Sequence, residues 1–159
     1  MQPLAPAYVQ AFLKQYEIEV MQFERSTATS ELAAQAIGCE LGQIAKSLCF
    51  MVDGEPLLVI ASGDQRVDTK KLAEIRGVAR KRVKVAKPEE CIAIFGYAPG
   101  GVPPVAHRTK NIPIYVDESL KRYEVVYAAA GASDANFAIS PSQLIEITQA
   151  QVVNLWQEP

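Results

Sequence analysis

Apolar residues at Ala5, Tyr8, Val9, Phe12, Leu13 and Tyr16 recur at intervals of three and four, the period of one helical face, and predict a helix over residues 5–16. The period then changes: "EIEVMQFE" alternates apolar and polar positions and predicts a strand. "SELAAQAIG" predicts a short helix with Ser30 as its N-cap and Gly38 just past its end. "KSLCFMVDGEPLLVIASGD" reads as two strands joined at Asp53-Gly54, a common hairpin turn. In "VDTKKLAEIRG", Asp68 caps a helix, Val67 and Leu72 staple it, and Gly77 ends it. "RKRVKVA" predicts a strand, and "PEECIAIFG" opens on Pro88 at the first helical position and stops at Gly96. "NIPIYVD" and "YEVVYAAA" predict strands flanking a helical piece at "ESLKR", and "NFAIS" predicts another strand. Ser140, Pro141 and Gln143 set a capping box for a last helix, with Ile139 and Leu144 as its staple.

Six or seven strands interleaved irregularly with helices predict an α+β fold, a mixed sheet or barrel with helices packed outside. No break in composition divides residues 1–159, so one domain is expected, and 159 residues can bury a substantial core. Hydrophobic residues make up 49% and charged residues 21% of the chain. The apolar runs stop short of the roughly 18 residues a membrane span requires. The first twenty residues lack a basic segment followed by an uninterrupted apolar stretch, so a cytoplasmic location and no membrane partner are expected.

Charge changes the picture. The net charge of −2 averages over a segment from Arg66 to Lys87 with nine basic and two acidic residues, +7, against −9 for the remainder. Such a segment is either a solvated face or a footprint for a phosphate backbone, with Arg80, Lys81 and Arg82 at its centre.

Candidate chemistry is sparse. Cys39, Cys49 and Cys91 share no C-x-x-C spacing, which argues against a disulfide framework or a zinc site, and they read as core or near-surface thiols. The single histidine, His107, offers no cluster for a metal, and beside Arg108 and Lys110 it reads as a surface residue rather than a catalyst. Nothing in the sequence asks for a cofactor. Lys46 in "IAKSLCF" puts an ammonium at the mouth of an apolar strand, where it either snorkels to water or lines a pocket as a cation for a phosphate or a carbonyl. "GYAPGGVPP" sets permissive Gly100 and Gly101 beside rigid Pro103 and Pro104. It is either a tight connection or a loop that aims backbone amides at a ligand. Gly131, Ser133 and Asp134 form a turn in which Asp134 closes an Asx-turn or receives a ligand amine.

Together, "IAKSLCF", "GYAPGGVPP", "IYVDESL" and "AAAGASDANFAISPSQL" resemble the YbaK/prolyl-tRNA synthetase-associated editing domain family over about residues 28–148. The resemblance implies a mixed, barrel-like sheet surrounded by helices and hydrolysis of mischarged aminoacyl-tRNA. It implies that Lys46 is a functional residue contacting the terminal adenosine, and that Gly100 and Gly101 place backbone groups near the scissile ester. It also implies that the Gly131-to-Asp134 turn borders the amino-acid pocket; Tyr97, in the glycine-rich loop, is grouped with Gly131, Ser133 and Asp134 as substrate-binding. Several family members carry a histidine where this chain has Ala135, and others a glycine where it has Ala106, so the resemblance names no substrate amino acid.

The expected function is therefore deacylation in trans of mischarged tRNA with water as nucleophile. Lys46, Gly100 and Gly101 would be catalytic, and Arg80, Lys81 and Arg82 would bind the tRNA. An aminoacyl-tRNA synthetase is a second candidate partner. The alternatives are a non-catalytic module that grips tRNA or a synthetase, and a hydrolase of small acyl esters that ignores RNA.

Overall fold

Eight strands form two sheets in the computed structural model, which describes residues 1–158. In chain order the elements are α1 (Pro6–Lys14), β1 (Val20–Gln22), α2 (Ser30–Ile37), β2 (Ala45–Val52), β3 (Glu55–Ser62), α3 (Thr69–Arg76), β4 (Val83–Val85), α4 (Pro88–Glu90), β5 (Ile114–Asp117), β6 (Val126–Ala129), β7 (Ala135–Ile139), α5 (Pro141–Thr148) and β8 (Gln151–Val153). A π-helical turn, Cys91–Phe95, continues α4 to Gly96. Single 3-10 turns cover Leu41–Gln43, Arg80–Arg82 and Glu118–Arg122.

Local signals set most boundaries. Asp53 and Gly54 both take left-handed backbone (φ 51 and 81) and close β2 onto β3 with Val52 opposite Glu55. Asp68 caps α3 by accepting from the Lys70 amide, and Gly77 ends it at φ 68. Ser140 caps α5 through the Gln143 amide. One cap is displaced from the expected residue: Thr29, not Ser30, caps α2, because Thr29 has extended backbone and its Oγ1 accepts from the Leu32 amide, while Ser30 is already helical. Strand β8, absent from the pattern-based expectation, is three residues long and forms by parallel pairing with β5.

The larger sheet runs β4-β2-β3-β5-β8 and the smaller β1-β7-β6. Central β3 is buried on both faces: Leu58 and Ile60 join the main core, while Leu57, Val59 and Ala61 join a second cluster with Leu72 of α3 and Leu155. Burying a side chain such as Leu72 completely stabilises the fold by about 1.5–3 kcal/mol.

The sheets do not close into a barrel. A single parallel bridge, Ile44 to Tyr127, joins them, and β4 pairs with β2 only over Phe50–Val52. Between these two contacts no strand is paired with the outer edge of β2. The expected α+β fold with a mixed sheet and external helices is found, with a seam left open where a barrel would be shut.

The loop from Val102 to His107 is buried throughout. His107, expected at the surface, is 7% exposed, packs edge-on against Phe95, and its Nε2 lies 2.7 Å from the Pro103 carbonyl, to which it donates. Burial holds its pKa below the ordinary 6.5, Lys110 pushing the same way and the Pro103 bond opposing. The unfolded chain therefore binds a proton near pH 6.5 that the folded chain refuses, so stability should fall as pH drops below about 6.5, by at most ~1.4 kcal/mol per unit. Urea midpoints at pH 7.5 and 5.5 should differ for the wild type and converge for His107→Asn; equal slopes would sink the assignment.

Candidate active site

The open seam is a cleft of about 320 Å³. One wall is β2 from Ala45 to Cys49, a second is the Thr27–Ser30 approach to α2, and Pro99, Gly100 and Val102 form a third. Successive strand residues direct their backbone groups to opposite sides. The Cys49 carbonyl accepts from the Ala86 amide on the outer edge of β2, so Ser47, two residues earlier, directs its N–H and C=O the same way, into the gap.

Lys46 is half-buried and lines both this cleft and an adjoining groove bordered by Leu48, Arg66, Val67 and Val85. Its Nζ donates to the Gln65 carbonyl at 2.5 Å. Desolvation holds its pKa below that of an ordinary lysine, against the pull of Glu31 and Asp64, with Arg66 adding to the depression.

The two glycines of the loop differ. Gly100 lines the cleft at φ 92, and a Cβ there would stand 3.1 Å from the Ala28 Cβ. Its amide donates to no acceptor among the described residues. Gly101 lies behind it: its amide donates to Ala98 O at 3.2 Å, its carbonyl accepts from Gly131, and a Cβ would meet the Ala132 backbone at 3.0 Å. As an amide donor Gly100 is available and Gly101 is not.

Tyr97, Gly131, Ser133 and Asp134 do not line the cleft. Tyr97 is fully buried and its hydroxyl donates to Ala106 O at 2.6 Å, which fixes the return of the loop. Ala106 holds φ 62 there, a conformation that suits glycine better. The Ser133 and Asp134 carbonyls accept from the Thr27 and Phe23 amides, so this turn anchors the Thr27–Ser30 wall from outside. Arg80, Lys81 and Arg82 are exposed, and Arg80 reaches Thr69, which lines the adjoining groove.

Two polar residues that sequence reasoning missed face the cleft. Asn136 is 2% exposed and its Oδ1 has no hydrogen-bond partner; the Ser47 Oγ is also buried and unpartnered. A buried acceptor left unpaired costs about 1–3 kcal/mol, so each asks for a ligand or water. The only sequence signal was an asparagine inside the apolar run "NFAIS". Cys49 and Cys91 also line the cleft; burial is the first cause that pushes both thiols up and keeps them protonated. Among the described residues no group of three or more His, Cys, Asp or Glu could hold a metal ion, and no helix is long and apolar enough to cross a membrane.

The fold and the sequence together are those of an aminoacyl-tRNA editing domain. Residues 24–147 match the aminoacyl-tRNA editing domain, and the chain is a member of that family. It is 36% identical to the uncharacterized protein YwhH of Bacillus subtilis (strain 168), over 86% of this chain and 85% of that one. A solved structure provisionally named a trans-editing enzyme for prolyl-tRNA synthetase superposes with a TM-score of 0.89 at 38% identity, covering 98% of this chain and 99% of the other. The proline–tRNA ligase of Shouchella clausii (strain KSM-K16) is 30% identical over 76% of this chain, which corresponds to 21% of that enzyme.

Proposed function

We propose that this protein hydrolyses the ester of a mischarged aminoacyl-tRNA in trans, with water as nucleophile. The observation that carries the reading is the convergence on one small cleft of a cation, Lys46, a free loop amide, Gly100, and an orphaned buried acceptor, Asn136 Oδ1. An aminoacyl ester presents the matching groups: an anionic nucleotide, a carbonyl oxygen that gains charge on attack, and an α-ammonium.

Lys46 holds the 3′-terminal nucleotide at the junction of cleft and groove. The Gly100 amide, with the outward Ser47 amide opposite, stabilises the oxygen of the tetrahedral intermediate, and Asn136 Oδ1 accepts from the α-ammonium. Water adds to the carbonyl carbon and the ribose oxygen departs as a hydroxyl. No side-chain nucleophile is set up for this step, since the cleft thiols are held protonated and His107 is enclosed by its own loop. Positioning beside the substrate's neighbouring ribose hydroxyl supplies the remaining activation. A cavity of about 320 Å³ that also admits the ester suits a small amino-acid side chain. Arg80, which reaches Thr69 at the groove, and the exposed Lys81 and Arg82 that follow it would bind phosphates of the acceptor stem.

The test is single-turnover release of labelled amino acid from alanyl-, cysteinyl-, seryl- and threonyl-tRNA, each with a free and an N-acetylated amine. One or two free-amine species should be hydrolysed, and acetylation should cost roughly ten-fold or more, as loss of a charge-assisted hydrogen bond does. Asn136→Leu should erase that discrimination. No release above the spontaneous rate from any species would replace this reading with a tRNA- or synthetase-binding module.

A further inference from the structure

A second hollow, about 450 Å³, adjoins the groove that holds Lys46. Gln65 joins the two: the residue lines both, and its backbone carbonyl takes the Lys46 ammonium. At the far side stands Trp156, the single tryptophan of the chain. Its backbone is pinned by the bridge to Val67, by Lys71 Nζ on its carbonyl and by its own amide donating to Asn154 Oδ1, yet the residue remains 45% exposed. Its ring belongs to none of the hydrophobic clusters of the core and borders the hollow instead.

The polar atoms sort into used and unused. The Asp117 carboxylate is taken by the Ser119 and Leu155 amides. The Arg122 guanidinium is taken by Asp64, Ser62 and the Ser119 carbonyl, and it covers the Tyr123 ring. Gln65 Oε1 and Ser119 Oγ are buried without partners, and Ser119 is only 9% exposed. Apart from the exposed Glu118 carboxylate at its edge, the hollow offers one flat aromatic face, one buried free acceptor and one buried free hydroxyl. Those are the complements of a nucleobase: a π face to stack, and an edge carrying an amine beside a ring nitrogen.

We infer that this hollow is a second nucleotide subsite, which takes the unpaired nucleotide preceding the terminal one, its base stacked on Trp156 and its edge hydrogen-bonded to Gln65 and Ser119. The inference rests on the tRNA-deacylase reading for the identity of the strand. In the CCA end of a tRNA that nucleotide is a cytosine, whose exocyclic amine donates to Gln65 Oε1 and whose N3 accepts from the Ser119 hydroxyl.

The sole tryptophan makes the test direct. Titration with unacylated CCA trinucleotide should quench the fluorescence of the full chain saturably, whereas adenosine monophosphate at the same concentrations should not. With acylated substrates, aminoacyl-CCA should exceed aminoacyl-adenosine in kcat/KM by about ten-fold, as one stacked base provides. Trp156→Ala should abolish that advantage, Trp156→Phe should keep most of it, and all three proteins should turn over aminoacyl-adenosine alike. Absence of quenching, or an advantage that survives Trp156→Ala, overturns the subsite while leaving the deacylase intact. If neither ester is hydrolysed the deacylase reading falls, and the CCA titration still decides whether the hollow binds a base.

Discussion

Lys46→Ala should lower kcat/KM for deacylation by roughly 10- to 150-fold while the protein stays folded, the loss that follows removal of a hydrogen bond to a charged group. The side chain stands where cleft and groove meet, so truncation removes the one cation that lines both. The Gln65 carbonyl loses its donor, but this contact is only partly buried and water can replace the ammonium, so melting should change little. Lys46→Arg should not restore activity, since a planar guanidinium cannot take the place of a compact ammonium anchored on one carbonyl. Because burial holds the Lys46 pKa below that of an ordinary lysine, the charged form is lost earlier as pH rises. The wild-type rate, corrected for spontaneous hydrolysis, should therefore show an alkaline decline that Lys46→Met lacks. A Lys46→Ala rate within two-fold of wild type would remove this residue from the mechanism.

Gly131→Ala should destabilise the fold by roughly 2–5 kcal/mol, combining backbone strain with overpacking. Gly131 holds φ 93, and a Cβ there would stand 2.8 Å from Val9 Cγ2 and 3.2 Å from Tyr97 Cε1. Neither neighbour can yield, because both are fully buried. The Gly131 amide also donates to the Gly101 carbonyl at 2.9 Å, so displacing this turn displaces the loop that carries Gly100 into the cleft. Thermal unfolding should shift down by about 5–15 °C, with Ser133→Ala, at the exposed tip of the turn, nearly neutral. A loss below about 1 kcal/mol would show that the turn is free to adjust.

These two positions were legible to different degrees. Lys46 stood out in the sequence as a charge in an apolar strand, and the motif around it carried the family. Gly131 read as part of a substrate-binding turn, and the structure gives it a packing role one layer behind the cleft. Tyr97 is similar: its hydroxyl closes the loop instead of facing the cleft. His107 misled because its neighbours Arg108 and Lys110 suggest solvent, whereas the proline-rich loop folds it against Phe95.

What the sequence determined by itself is what interactions within a few residues decide. Helical periodicity, the Asp53-Gly54 turn, the Asp68 and Ser140 caps and the terminating Gly38, Gly77 and Gly96 are properties of short segments, and they appear where expected. Even there a choice between adjacent residues, Thr29 over Ser30, depended on backbone conformation. What only the tertiary structure decided is the cleft. It exists because β6 meets β2 at one bridge and β4 meets it three residues long, leaving the edge between them unpaired. Asn136 and Ser47 are orphaned by that gap, and Gln65 and Ser119 by the hollow beside it, through contacts between segments far apart in the chain. A side chain's unmet hydrogen bond is defined by what fails to surround it, and no local pattern records that.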